Sequence, residues 1–493
     1  MDDWTTLPLE RSGRRPLYQQ IKEAVAAAIE AGSLPPLTRL PPTRALAHQL
    51  GVDRVTVVTA YNELAAEGYI SAHVGRGSFV LDRATAGREG LASPPPSLRA
   101  PADWTAHNLN REMMRLARRP DIISFAPGMP ATDLLPVDAY RLALNTVLRR
   151  DGPEVLQYGL IEGYPPLLAA IATELAGMGM RVEPDQLLIT SGTEQTLALV
   201  LRTLLHPGDT VLIEQPTYAL VLDVLAGTGV VIQPVPCDEN GVIPEALPDL
   251  IARCRPRLLY LTPTFQNPTG ACMPLARRHH LLALAAEHDL FLLEDDVYAH
   301  LWLDAPPPPS LRALDPSDHV IYTNGYSKCL LPGARIGYLL APARLHGLLA
   351  AAHQTLDISA SELHQRALET YLGEGRFASH LTRLRGAYRQ RRQAMLEALA
   401  EEMPAGATWT RPGGGLYCWL QLPVDGPSAT TVYVHALDTG VAFAPGRLSF
   451  PLAAMGTGGS HHARLNFTLH PPTVTAAGIH RLARAWRQAA GET

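Results

Sequence analysis

The chain has 493 residues, 46% of them apolar, and a formal charge of −5 at neutral pH. That length allows two or three domains with a large core, and the slightly negative balance excludes a chain-wide basic field for nucleic acid. Five cysteines, an odd number without CxxC spacing, exclude a disulfide frame and a zinc site and imply reduced thiols in a cytoplasm.

The N-terminus, Met1-Asp2-Asp3-Trp4, is acidic and carries no signal-peptide pattern. No stretch approaches about 18 uninterrupted apolar residues, so no membrane span is expected. Pro16 can open a helix over 17–31 that Gly32 closes, with Leu17, Ile21, Val25, Ala28 and Ile29 as its apolar stripe. A second helix fits 43–50. Gly51-Val52 makes a tight turn, and Asp53 caps a third helix over 54–67 that ends at Gly68. Two helices joined so closely predict a helix-turn-helix. Tyr69 to Leu81 reads as a hairpin with Gly75-Arg76-Gly77 at its tip.

Pro16-Leu17-Tyr18-Gln19-Gln20, Leu40-Pro41-Pro42-Thr43-Arg44-Ala45-Leu46-Ala47, Arg54-Val55-Thr56-Val57 and Glu67-Gly68-Tyr69-Ile70 resemble the GntR-type winged helix, over residues 11–82. The resemblance implies DNA contacts from Arg44 and Arg54 at two helix starts, Thr56 and Tyr61 on the recognition helix, and Gly75, Arg76 and Gly77 in the wing. Asp53 stands where that family usually has Ser or Thr, and a carboxylate there repels phosphate. Residues 11–81 hold eight Lys/Arg and five acids, a modest excess of +3.

Residues 83–104, with Pro94-Pro95-Pro96, read as a linker partly stiffened by proline. Beyond it, 105–488 alternates helical segments with short apolar runs: Val211-Leu212-Ile213, Val230-Val231-Ile232, Leu258 to Leu261, Phe291-Leu292-Leu293 and Val320-Ile321-Tyr322. Such runs predict an α/β module with a mostly parallel sheet buried on both faces.

The polar motifs fall at the ends of these runs. Ser191-Gly192-Thr193-Glu194-Gln195 opens a helix, where backbone amides and the Ser and Thr hydroxyls can hold an anion. Tyr218 can lie on an aromatic ring. Asn267 sits in a turn before Pro268. Asp295, in Glu294-Asp295-Asp296-Val297-Tyr298, follows an apolar strand, where a carboxylate is costly without a positive partner. Lys328, in Tyr326-Ser327-Lys328, is one of two lysines in the chain, against 40 arginines (42 Lys+Arg less Lys22 and Lys328). An ammonium can lose its proton and form a Schiff base with an aldehyde; a guanidinium cannot.

In this order the motifs resemble the fold-type I, pyridoxal 5′-phosphate (PLP)-dependent aminotransferases. The resemblance implies that Lys328 forms the Schiff base and Asp295 pairs with the pyridinium. Asn267 and Tyr298 would bond the ring hydroxyl, and Tyr218 would stack on the ring. Gly192, Thr193, Ser327 and Arg335 would hold the phosphate. Tyr158 would reach a partner subunit's phosphate, and Arg464 would grip a substrate carboxylate. Gly325 stands where the family often has a serine on the phosphate.

The combination resembles the MocR family: a winged helix-turn-helix (α+β) fused to an α/β aminotransferase-like domain. It implies a cytoplasmic, nucleoid-associated bacterial regulator, a head-to-tail homodimer that binds promoter DNA and responds to PLP or an amino acid or amine. Control of PLP synthesis or amine metabolism is the implied role, with little turnover. The alternative is a working aminotransferase carrying a DNA-binding arm. A third reading is a PLP store or scaffold with an inert winged helix.

Overall fold

The computed structural model describes residues 9, 11, 15–35, 38–66, 69–73, 77–80, 113, 115–116, 118–451 and 458–491. The wing residues Gly75 and Arg76, the helix end Glu67-Gly68, the linker 83–104 and the expected domain limits at 82 and 105 lie outside these. The chain divides into two compact units, Met1–Ala100 and Pro101–Thr493.

In the first unit, α1 (Leu17–Glu30), α2 (Thr43–Leu50) and α3 (Arg54–Ala66) surround a small apolar core that includes Ile21, Val25, Leu46 and Leu64. Helix α2 ends at Gly51 in the left-handed region (φ +60°), which favours glycine. The Asp53 carboxylate then accepts from the Val55 amide at 2.7 Å, an Asx cap for α3. Strands β1 (Ile70–His73) and β2 (Gly77–Val80) pair antiparallel, with Ile70 opposite Val80. Thr38–Leu40 adds a third edge through Leu40 N to Ser78 O and Val80 N to Thr38 O, both 2.9 Å. Three helices and this ribbon make a winged helix.

Tyr61, expected to contact DNA, is buried instead. Tyr61 is 4% exposed, and its hydroxyl donates to the Pro41 carbonyl at 3.0 Å. Val57, Ala60, Tyr61 and Leu64 form the i, i+3, i+4, i+7 stripe by which α3 joins the core. Arg54 and Val55 face solvent instead, Thr56 is half-buried, and Arg44 is exposed at the start of α2.

The first strand of the second unit is β3 (Ile123–Ser124). An eight-stranded sheet follows, built from β4 (Leu187–Thr190), β5 (Thr210–Gln215), β6 (Val231–Asp238), β7 (Gly241–Val242), β8 (Leu258–Leu261), β9 (Phe291–Asp295), β10 (Val320–Gly325) and β11 (Gly337–Leu340). Its order is β4-β11-β10-β9-β8-β5-β6-β7, and only β11 and β7 run against the rest. Alternate residues go to opposite faces. Leu258 and Tyr260 join one apolar cluster with Leu197 and Leu201, while Leu259 and Leu261 join another with Leu281 and Leu284. Helices Thr193–Leu204 and Leu275–Glu287 therefore cover opposite faces, which is why the strands read as unbroken apolar runs.

A second sheet joins β12 (Thr408–Trp409), β13 (Tyr417–Gln421), β15 (Ala444–Pro445) and β16 (His462–Asn466) in the antiparallel order β12-β13-β16-β15, while β14 (Val441–Ala442) pairs in parallel with β3. Among the described residues no helix is long and apolar enough to cross a membrane.

Burial of Tyr61 makes a specific forecast. Tyr61→Phe loses one hydrogen bond, so denaturant unfolding should show a loss of about 1 kcal/mol. Promoter affinity, read by fluorescence anisotropy, should stay at the wild-type value.

Candidate cofactor site

The carboxyl ends of the parallel strands converge, as ligand sites in such sheets do. Gly192 and Thr193 follow β4, Tyr218 follows β5, Asn267 follows β8, Asp295 ends β9, and Lys328 follows β10. A cavity of about 340 Å³ is lined by Tyr218, Ser327, Lys328, Arg335 and Arg464. Lys328 Nζ donates to the Gly128 carbonyl at 2.7 Å.

Asp295 is 4% exposed. Its Oδ2 accepts from the Tyr260 hydroxyl at 3.0 Å, and its Oδ1 is buried without a well-formed hydrogen bond. Burial pushes this carboxyl up to about 6, against the Tyr260 hydroxyl, the Lys328 charge and the Val297 amide. A buried acceptor of this kind fits a protonated ring nitrogen. Its neighbours take other partners, although Asp296 Oδ1 too is buried without a well-formed hydrogen bond. Glu294 accepts from the Leu311 and Arg312 amides, both at 2.8 Å, with Arg278 at 4.0 Å, and Asp296 accepts from Tyr322 at 3.0 Å. Of three consecutive buried acids, Asp295 is the one held in the field of Lys328.

Asn267 and Tyr298 are buried and joined through Asn267 Nδ2 to the Tyr298 hydroxyl at 3.4 Å. Asn267 Oδ1 accepts from Arg464 Nη1 at 3.0 Å. Arg464, on β16, also donates to the Ala126 carbonyl at 2.7 Å, and its guanidinium lies 4.4 Å over the Tyr417 ring. Its protein partners are an amide and a carbonyl, so the guanidinium charge stays available to a carboxylate in the cavity.

The anion cup is built by close backbone approach. Gly192 has φ +95°, and a Cβ there would meet the Arg335 guanidinium at 2.6 Å. Helix geometry leaves the Thr193 and Glu194 amides without intrahelical acceptors, at the helix's positive end. The Ser191 hydroxyl, expected in the cup, donates to Asp357 Oδ2 at 2.7 Å and is turned away. Gly325 has a steric reason: a Cβ would lie 2.8 Å from the Ile336 carbonyl and 3.0 Å from Gly337 Cα, so β10 and β11 leave no room for serine. Tyr158 stands apart from the cavity, 75% exposed.

Sequence reasoning missed Tyr260, Tyr417 and Glu194 at this site, and Val55, 70% exposed between Arg54 and Thr56, on the winged helix. The run Gly413-Gly414-Gly415 before Tyr417 was a usable signal: a Cβ at Gly414 would meet the Phe265 ring at 2.4 Å, so the chain there presses against the site loop.

The sheet and its strand-end site define a fold-type I, PLP-dependent aminotransferase fold joined to a winged helix. The description "Aminotransferase class I and II" matches residues 120–475, and "Bacterial regulatory proteins, gntR family" matches 17–80. The HTH-type transcriptional regulator TauR of Rhodobacter capsulatus is 32% identical over 489 residues, covering 97% of this chain and 98% of that one. The probable rhizopine catabolism regulatory protein MocR of Rhizobium meliloti is 34% identical over 397 residues, covering 79% and 78%. The crystal structure of LysN, the alpha-aminoadipate aminotransferase of Thermus thermophilus, superposes with a TM-score of 0.71 at 37% identity, covering 77% of this chain and 94% of that one. The chain belongs to the MocR-type regulators of the GntR superfamily, in which a winged helix is fused to a class I and II aminotransferase domain. The cofactor of that domain is pyridoxal 5′-phosphate.

The raised Asp295 carboxyl has a measurable cost in cofactor-free protein. A folded-state value above the ordinary 3.8 means the native state binds the extra proton, so this contribution to stability is lost as pH rises from about 4 through about 6. Ionised Asp295 should cost on the order of 3 kcal/mol. Denaturant unfolding of cofactor-free Asp295→Asn should show higher stability than wild type at pH 7.5, with the advantage shrinking toward pH 4.

Proposed function

We propose that this protein is a PLP-dependent transcriptional regulator. Its winged helix binds promoter DNA, and its aminotransferase-like unit responds to PLP or to an amino acid or amine that reacts with PLP. The single observation that carries the reading is a cavity holding Lys328, Arg335 and Arg464 in the same chain as a winged helix with Arg44 and Arg54 exposed.

When bound, PLP supplies an aldehyde that condenses with amines and a ring that withdraws electrons. The protein's part is to bind and orient. Lys328 offers the amine that anchors the aldehyde. Asp295 would hold a proton at the ring nitrogen, Asn267 and Tyr298 would bond the ring hydroxyl, and Tyr218 would cover a ring face. The amides after Gly192, the Thr193 and Ser327 hydroxyls and Arg335 would hold the phosphate. Arg464 takes an effector carboxylate. Tyr158, exposed, serves the phosphate site of a second copy in a head-to-tail dimer. In the winged helix, Arg44, Arg54 and Thr56 contact DNA, with Gly75, Arg76 and Gly77 as the wing. The protein acts in the cytoplasm without physiological turnover. A ligand controls DNA binding only as far as it favours one state of the protein over another. Control of PLP synthesis or amine use follows from such chemistry.

A complete set of Lys328, Asp295, Asn267 and Arg464 also suits a working aminotransferase. Visible absorbance of the PLP-loaded protein, titrated with amino acids and amines without a keto acid, separates the two. The sensor reading predicts a spectrum that shifts with one effector class and stays shifted. Conversion of the cofactor to its amine form would favour the enzyme.

Two variant sets check the assignments. Lys328→Ala should abolish the visible protein-bound band, and an unchanged spectrum would refute its role. Arg44→Ala and Arg54→Ala should weaken promoter binding and lower its salt slope by about 1 for each lost phosphate contact, with PLP retained.

A further inference from the structure

The anion cup already contains an anion. Glu194 is the second residue of helix Thr193–Leu204, and its carboxylate meets three features suited to a phosphate. It lies at the positive end of that helix. Its Oε2 is 3.6 Å from Arg335 Nη2, and its Oε1 accepts from the Tyr218 hydroxyl at 3.2 Å. Glu194, Tyr218, Ser327, Lys328 and Arg335 line one cavity, with Asp223 adding a second carboxylate to its wall. Both members of the Glu194–Arg335 pair are about half exposed, so the pairing is loose enough to exchange.

We propose that Glu194 is an internal counter-ion that competes with the PLP phosphate for Arg335, so that PLP binds as an exchangeable ligand. A phosphate entering the cup must displace this carboxylate or accept it as a like-charged neighbour, and either weakens binding. Gly192 makes the competition direct, because the absence of a Cβ lets the Arg335 guanidinium reach the helix end where both anions bind. A tightly held cofactor carries no information about its concentration, whereas an exchangeable one does. The inference rests on the reading above, in which Lys328 and Arg335 anchor PLP.

The test is equilibrium binding of PLP and of pyridoxal, which lacks the phosphate, to cofactor-free full-length protein in phosphate-free buffer, read by the visible band. Glu194→Gln keeps the shape and removes the charge. It should tighten PLP about tenfold, as expected for roughly 1.4 kcal/mol, and leave pyridoxal affinity unchanged. In an Arg335→Gln background the same substitution should lose most of its effect, since the object of the competition is gone. Unchanged or weaker PLP affinity in Glu194→Gln would overturn the proposal, as would equal tightening of pyridoxal. Should that variant fail to accumulate, Glu194→Ala must show the same sign. A wild-type protein that forms no visible band with PLP would defeat the anchoring assignment itself, which is a different failure.

Discussion

The structure of the large unit turns on a buried carboxylate. Asp295 ends a central strand with one oxygen held by Tyr260 and the other lacking a well-formed hydrogen bond, in a core that penalises its charge. Such a group is tolerated when something brings a positive charge to it. The sheet fixes where that must happen. Parallel strands deliver Asp295, Asn267, Tyr218 and Lys328 to one edge, and β16 of the smaller sheet brings Arg464 against Asn267. Cofactor binding and the integrity of this core are therefore one problem in electrostatics.

Much of this was legible in the sequence. Strands β5, β8, β9 and β10 read as apolar runs because both faces are buried, whereas Val231 of β6 is exposed, and the helix ends of the winged helix were marked by Pro16, Gly51 and Asp53. Lys328 stood out because arginine has replaced lysine nearly everywhere else. These are local signals, and local physics produces them.

Other features depend on residues far apart in the chain. Tyr260 reads as a plain strand residue until Asp295 is set beside it. Glu194 reads as an ordinary first-turn acid until Arg335 arrives from a distant loop. Gly325 reads as a lost phosphate contact, but its neighbours Ile336 and Gly337 show that a side chain does not fit. Tyr61 was misplaced for a different reason. Its position in a recognition helix suggested DNA, while the periodicity of Val57, Ala60, Tyr61 and Leu64 already assigned it to the core. Periodicity was the better guide, because a three-helix unit this small has few apolar groups to spare.

The most direct test of the account is promoter affinity of the full-length protein at fixed salt, measured without PLP, with PLP, and with PLP plus an amine that shifts its spectrum. Affinity should differ by at least about fivefold between two of these states, and the difference should disappear in Lys328→Ala. Equal promoter affinity in every state of the wild type would contradict it, leaving a DNA-binding arm and a PLP domain that do not speak to each other.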